Sequence, residues 1–570
     1  MKRTLPYWAL GFGIWVFALV YPTASAQDSP TMQAMADELS RSMSSLKLPD
    51  QPAPYYIEYE VQDRISTRIT ARLGALVEDL VGRNRVLRVG VRVGNYDFDS
   101  SLFAGGGTTG GVIGLSADGS TSAPLDDDYD IMRRQIWLAT DAAYKRAVGV
   151  FARKRAAFQN RVGGGDVADF SRETAQQTIL DGLAPERVNR DWPERARQIS
   201  AAFSGFSALD NSDISVADTR GTRFYLNSEG FKVVAPIEIA SLRVGAETQA
   251  ADGMTIRDAF TLVEKDLRDL PPASELAVRA RRMAERLTAQ RAAPIGEEYT
   301  GPVLLEGQAS AELVAAVLAP AVLGRRPPET AGRGGRGGVS VSPFHRRIGL
   351  RVMSESFSAS DTPSLRQFEG RPVAGAYIVD DQGVRAKDVA LIEKGRLITL
   401  LAGRAPLKGL LQSSGHTRGQ DVLPGVFQVQ TAEPMSAAEL RKKYLELLAT
   451  QDKEFGYIVR GLASPAEAGG AGGPMIVDAV KVTRDGREEL VRGVRLGTVP
   501  PAAYRDLYGA SRERTLYNFR GTTNDAVSII APNIIYEELE VQQTRDITQR
   551  PPEVRSPLSL NLGSAFLLAN

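Results

Sequence analysis

The chain of 570 residues has no cysteine and only two histidines, His345 and His416. Without thiols it has no disulfide framework, no cysteine nucleophile and no thiolate ligand for zinc. His345 and His416 are the only imidazoles available, and the two with a carboxylate would satisfy zinc if the fold brought them together. Charge of one sign is also missing. Lysine plus arginine number 69 against 68 acidic residues, a net charge of +1. No overall field favours nucleic acid, acidic lipid or a polyanionic substrate, and no nucleic-acid partner is expected. There is no P-loop, no well-placed G-x-G-x-x-G, no G-x-S-x-G elbow and no H-E-x-x-H. A Ser-His-Asp triad can be composed on paper from either histidine, but a chain this rich in Ser and Asp gives that little weight.

What the chain does have is ordinary globular composition, 43% hydrophobic and 24% charged, and a length that predicts more than one domain. Its start carries an address. Lys2 and Arg3 precede the apolar run Trp8 to Val20, and Ala24-Ser25-Ala26 offers the small residues that a signal peptidase accepts. Residues 1–26 are therefore expected to be a signal peptide cut after Ala26. The run is too short, and too closely followed by Pro22, for a comfortable membrane-spanning helix. The expected product is a periplasmic or secreted protein with no stable membrane insertion after cleavage.

The remaining pattern predicts an α+β fold. "PYYIEYEV" and "RVLRVGVRVG" alternate as half-buried strands do. Met132, Ile136, Ala139, Ala143, Ala147 and Phe151 mark one amphipathic helix, and Leu276, Ala280, Met283 and Leu287 mark a second with arginines opposite. From about Gly301 the pattern changes. "GPVLLEG" reads as a buried strand and "ASAELVAAVLAPAVLG" as a helix ended by Gly324, while "RRPPETAGRGGRGG" has too much Gly and Pro for regular structure. Strands with turns at Asp381-Gln382-Gly383 and Lys394-Gly395 follow as a meander. Ser436 and Glu439 form a capping box, and Asp485-Gly486 marks a hairpin. No short repeat is evident.

Several segments, in this order, carry a resemblance: "GTRFYLNSEGFKV" (221–233), the arginine-rich helix, "YTGPVLLEGQASAEL" (299–313), "VDDQGVRAKDVALIEKGRLITLLAGR" (379–404), "SSGHTRG" (413–419) and "SIIAPNIIYEELEV" (528–541). Together they resemble the TldD/PmbA family, grouped with zinc-dependent peptidases and labelled modulators of DNA gyrase. The resemblance spans about Tyr55 to Val541. It implies an N-terminal α+β domain over residues 27–300 and a mainly β C-terminal domain over 301–570, whose loops help enclose a chamber.

The catalytic branch, TldD, carries H-E-x-x-x-H on a helix, with a cysteine near the C-terminus as third ligand. Laid on "LLEGQASAEL", the motif puts its glutamate at Glu306 and its histidines at Leu305 and Ser310. Neither side chain replaces an imidazole, and the cysteine has no counterpart. The departure is similar to the other branch, PmbA or TldE, which lacks the metal motif and pairs with TldD. The resemblance therefore implies a non-catalytic chain with no cofactor, whose partner is a TldD-like subunit or a second copy and which handles unfolded or extended peptides by strand addition. His416 and Arg418 either line that chamber or only stabilise their loop, and His345 reads as structural. Two other readings stay open. One is an active zinc peptidase rebuilt from His345 and His416 with Glu306, Glu355 or Asp361; the other is a secreted scaffold or binding protein that reuses the fold.

Overall fold

The computed structural model describes residues 29–104, 119–159, 167–180, 191–330, 341–419, 421–463, 473–521, 523 and 525–544. The expected signal peptide and the glycine-rich part of the 325–338 run lie outside them. Among the described residues no helix is long and apolar enough to cross a membrane.

The first unit is one twisted sheet backed by helices. α1 (Pro30–Ser45) leads into the hairpin β1 (Pro54–Arg72) and β2 (Ala75–Val93). Its turn, Leu73-Gly74, has φ of 46° and 84°, the two positive values that a two-residue type I′ turn requires. β3 (Ser120–Ser122), α2 (Tyr129–Phe158), β4 (Gln177–Ile179), α3 (Trp192–Ala201), β5 (Asn211–Asn227), β6 (Lys232–Gln249), β7 (Thr255–Glu264) and α4 (Ala273–Gln290) follow. The strands order as β3-β2-β1-β5-β6, with β4 and β7 both on β6.

Both predicted helices form, α2 longer than the periodicity suggested. Met132, Ile136, Ala139 and Ala143 pack with Ile57, Tyr59 and Val61 of β1, while Leu276, Ala280, Met283 and Leu287 pack with Ile69 and Val244. Odd-numbered residues of β1 thus face the helices. By the period of two, Glu58, Glu60, Gln62 and Arg64 face the other way. Gln62 lies opposite Arg223, and Glu60 opposite Tyr225, so this second face carries charge.

The second unit centres on β17 (Ala526–Gln543), whose stretch from Ala526 to Tyr536 is apolar except for Ser528 and Asn533 because it lies in the middle of a sheet covered on both sides. β8 (Tyr299–Leu305) and β12 (Val426–Thr431) flank it, and β16 (Leu507–Arg520) also pairs with it. Beyond β12 come β9 (Phe357–Asp361), β10 (Val389–Glu393) and β11 (Arg396–Leu397). Beyond β8 come β13 (Phe455–Leu462), β14 (Ile476–Thr483) and β15 (Glu488–Leu490). α6 (Ala437–Thr450) has the capping box with both reciprocal bonds, and Asp485-Gly486 lies in the turn between β14 and β15.

Two expectations need correction. The helix after β8 does not run to Gly324. α5 (Gln308–Leu313) passes through a π turn at Val314–Leu318 and stops at Ala321, where Pro320 has removed one backbone donor; Leu323–Gly324 then pairs with Leu401–Ala402. The meander is also sparser than expected: 374–388 makes only an isolated bridge, Val379 to Arg385, before the β10–β11 hairpin turns at Lys394-Gly395.

Candidate interdomain site

The charged face of the first sheet meets loops of the second. On one side Tyr225, Phe231, Val233 and Ala235 pack against Val379 and Val384; on the other Ile239 and Val263 pack against Ala374 and Ala526. Polar groups fill the seam between these apolar margins. Arg223 donates from Nη1 to Asp381 Oδ1 at 2.7 Å and from Nη2 to the Asp380 carbonyl at 3.1 Å, with Glu60 Oε1 4.0 Å away. Arg404 spans the seam further along. It donates to both oxygens of Glu229, at 2.6 and 2.9 Å, and to the Ser171 carbonyl, with its guanidinium stacked 3.8 Å over Phe170.

The glycine-flanked loop "GHTRG" closes this seam from the second unit. Gly415 has φ +75° and a Cβ there would stand 2.3 Å from the Arg385 carbonyl; Gly419 has φ +57° with Thr523 equally close. No side chain fits either position, which accounts for both glycines. Between them, His416 is fully buried. Its Nε2 lies 2.9 Å from Asp361 Oδ2, and its Nδ1 lies 2.9 Å from Ser414 Oγ and 3.0 Å from the Ser414 carbonyl. Asp361 Oδ2 also accepts from Gly425 N at 3.0 Å, and its Oδ1 has no hydrogen-bond partner among the described residues.

Ser414, His416 and Asp361 have the composition of a triad without its presentation. Ser414 Oγ accepts from Ala402 N at 2.9 Å and reaches the Ala402 carbonyl at 3.0 Å, and the imidazole behind it is enclosed. A nucleophile must offer its oxygen to a substrate. Here the hydroxyl is spent on the chain's own backbone. Arg418 is similarly engaged: it donates to the Ala526 carbonyl at 2.6 Å, lies 4.8 Å over Tyr377 and sits 3.7 Å from Asp525. Tyr377 in turn donates to the Gly415 carbonyl at 2.8 Å.

Carboxylates crowd the same node. Asp380 accepts from the backbone of Gln382, Val384 and Thr417, and burial still pushes its pKa up to about 7. Burial also raises Glu60 and Asp525, with the Asp381 charge adding to each and Arg223 and Arg418 opposing. Asp381 Oδ2 accepts from Gly419 N at 2.5 Å, tying the loop to Arg223 through one carboxylate. The residues that the sequence did not single out are therefore Glu60, Arg223, Glu229, Asp380, Asp381, Arg404 and Asp525. The segments that carry the resemblance supply most of them. "GTRFYLNSEGFKV" brings Arg223 and Glu229, "VDDQG…LAGR" brings Asp380, Asp381 and Arg404, and "SSGHTRG" brings His416 and Arg418.

The positions where the resemblance sets metal ligands lie elsewhere and do not fit a zinc ion. A helical H-E-x-x-x-H cannot occupy 305–310, because Leu305 is the last residue of β8 and the helix begins at Gln308. Leu305 is buried in the apolar core. Glu306 pairs with Arg460 at 3.1 Å, and Ser310 Oγ donates to the Pro532 carbonyl at 2.6 Å. On the helix itself the one carboxylate is Glu312, which accepts from Leu462 N and Gln308 Nε2. Nor does a rebuilt site assemble. His345 is half-buried in a turn, and Glu355 is exposed beside Arg351 at 3.8 Å. Of that alternative ligand set, only His416 and Asp361 touch. Among the described residues no group of three or more His, Asp or Glu is placed to hold a metal.

Residues 298–543 match the family model described as the PmbA/TldA metallopeptidase C-terminal domain. No curated protein matches the chain. Solved structures share its fold over most of their length. A proposed modulator of a DNA gyrase from Thermotoga maritima MSB8 is 13% identical, covering 85% of this chain and 96% of that one with a TM-score of 0.56. TldE from Thermococcus kodakarensis is 14% identical over 89% and 99%, also at 0.56. A proposed modulator of DNA gyrase from Bacteroides thetaiotaomicron VPI-5482 is 12% identical over 90% and 98%, again at 0.56. Residues 298–543 thus form a domain of the PmbA/TldA C-terminal type, and the chain shares the fold of these proteins over most of its length.

Proposed function

We propose that this protein is an exported, PmbA/TldE-like member of the family that has no metal chemistry of its own and completes a peptide-processing chamber with a metal-bearing partner. The observation that carries the reading is the donor set after β8. From Leu305 to Gly324 there is no imidazole, and the one helical carboxylate, Glu312, is bonded to the Leu462 backbone. Zinc needs three or four nitrogen, sulfur or carboxylate donors at one point. This helix offers a packed apolar face instead.

In this reading the seam is the rigid back of the chamber. His416 and Arg418 hold the "GHTRG" loop as part of its wall, and extended peptides are bound through their main chain. Lys2 and Arg3, the apolar run and Ala24-Ser25-Ala26 support export to the periplasm or beyond. Isolation of the protein from its native source tests the partnership. A second chain carrying H-E-x-x-x-H should co-purify in fixed ratio, and repeated recovery of this chain without one contradicts the proposal.

A further inference from the structure

Beside α1 the first sheet holds a groove of about 600 Å³, a size that suits a small ligand or the end of a chain. α1 packs Met32 and Met35 onto the sheet and turns a neighbouring stripe, Ala36, Leu39 and Met43, to one wall of the groove. The floor is a row across three strands. Leu226 of β5 stands opposite Lys232 of β6, and Lys232 stands opposite Gln177 of β4, so the three side chains rise from one face. Apolar and small polar side chains line the groove, no acid does, and the one charged residue among the described lining residues is Lys232. Its side chain is half-buried, and its ammonium has no hydrogen-bond or ion-pair partner among the described residues. An unpaired cation in such surroundings is complementary to an anion with an apolar body.

The groove opens on a free strand edge. The Gln176 carbonyl accepts from Lys232 N at 3.1 Å, and Leu180 N donates to the Val234 carbonyl at 2.9 Å, which joins β4 to β6. By the alternation of a parallel ladder, Gln177 and Ile179 direct their backbone N–H and C=O groups away from β6, where no other strand lies among the described residues. Ile179 is 36% exposed and shares a face with Gln177. We propose that this groove captures the C-terminal end of an extended peptide. The last apolar side chain enters between Leu39, Met43 and Leu226, the terminal carboxylate meets Lys232 Nζ, and the preceding residues add a strand to β4 at Gln177 and Ile179. The unpaired charge selects the carboxylate. The open edge selects a peptide over a fatty anion, which has no main chain to pair. The proposal goes beyond the chamber reading and needs neither a metal nor a partner subunit, so it stands or falls separately.

Fluorescence anisotropy of a dansylated pentapeptide ending in leucine, titrated with the protein produced as residues 27–570, tests the site. The peptide with a free carboxylate should bind about tenfold tighter than the same peptide ending in an amide, the effect of one charge-assisted bond. Lys232→Gln, with an unchanged circular dichroism spectrum, should bring the acid down to the level of the amide and leave the amide as it was. N-methylation of each peptide nitrogen in turn reads the strand. Alternate positions should weaken binding about fivefold and those between them should not, because only every second amide faces β4. No binding of the acid, equal binding of acid and amide, or a Lys232→Gln variant that keeps the tenfold preference overturns the proposal. So does a set of N-methylated peptides that all bind like the parent, since the groove then takes an anion without adding a strand.

Discussion

Arg404 and Glu229 face each other across the seam between the two sheets, joined by two hydrogen bonds of 2.6 and 2.9 Å, with the arginine side chain fully buried. They come from units that the chain order separates by 175 residues. A paired, planar guanidinium of this kind fixes orientation as well as distance. Truncating one partner leaves the other charge buried and alone, which costs about 3–5 kcal/mol. Arg404→Ala and Glu229→Ala should each lower stability by an amount of that order in urea unfolding. The double variant should cost clearly less than the sum of the two. Arg404→Lys should rescue little, because an ammonium cannot make the two parallel bonds.

The His416–Asp361 contact has the same logic inside one unit. Asp361 also holds Gly425 N, so its loss frees two segments of backbone. His416→Ala is expected to destabilise by about 2–4 kcal/mol, since it opens a cavity and strands a buried carboxylate. Ser414→Ala removes the hydroxyl's bonds with the Ala402 backbone and His416; it should cost about 1–3 kcal/mol and should not abolish any activity of a reconstituted complex. Complete loss of such activity in Ser414→Ala, with folding intact, overturns the holding role assigned to this loop.

Stability should fall as pH rises through neutrality. Asp380 and Glu264 are pushed up to about 7 and Asp218 to about 6, in each case chiefly by burial. A carboxyl raised in the folded state favours the protonated form there. Its contribution is full below the unfolded value near 4 and is lost as pH climbs through about 6 to 7. Urea midpoints should therefore be higher at pH 5 than at pH 8. Glu264→Gln keeps the shape and removes the proton, so it should flatten that dependence. An unchanged slope in Glu264→Gln, or greater stability at pH 8, contradicts the assignment.

Local chemistry made much of the fold readable. The capping box at Ser436 and Glu439, the turn at Asp485-Gly486 and the buried face of α4 depend on residues a few positions apart, and each forms as expected. The seam was not readable in that way. Arg223 meets Asp381 across 158 residues, and nothing near either one announces the other. Asp381 was visible only as a turn residue, a role it does fill, while its carboxylate accepts from Arg223 of the other sheet, which also reaches the backbone carbonyl of Asp380. The helix after β8 starts as expected and was overrun only at its end: Pro320 removes a backbone donor and the helix stops at Ala321, before Gly324 pairs with the chain at Ala402.

The central claim is that this chain contributes walls and no metal. Its most direct test is the zinc content of the purified protein, produced as residues 27–570, after equilibration with zinc and removal of loosely held ions. The account predicts a content near zero, unchanged in His345→Ala and His416→Ala. About one zinc per chain, lost in either variant, contradicts it and makes the two histidines a metal site.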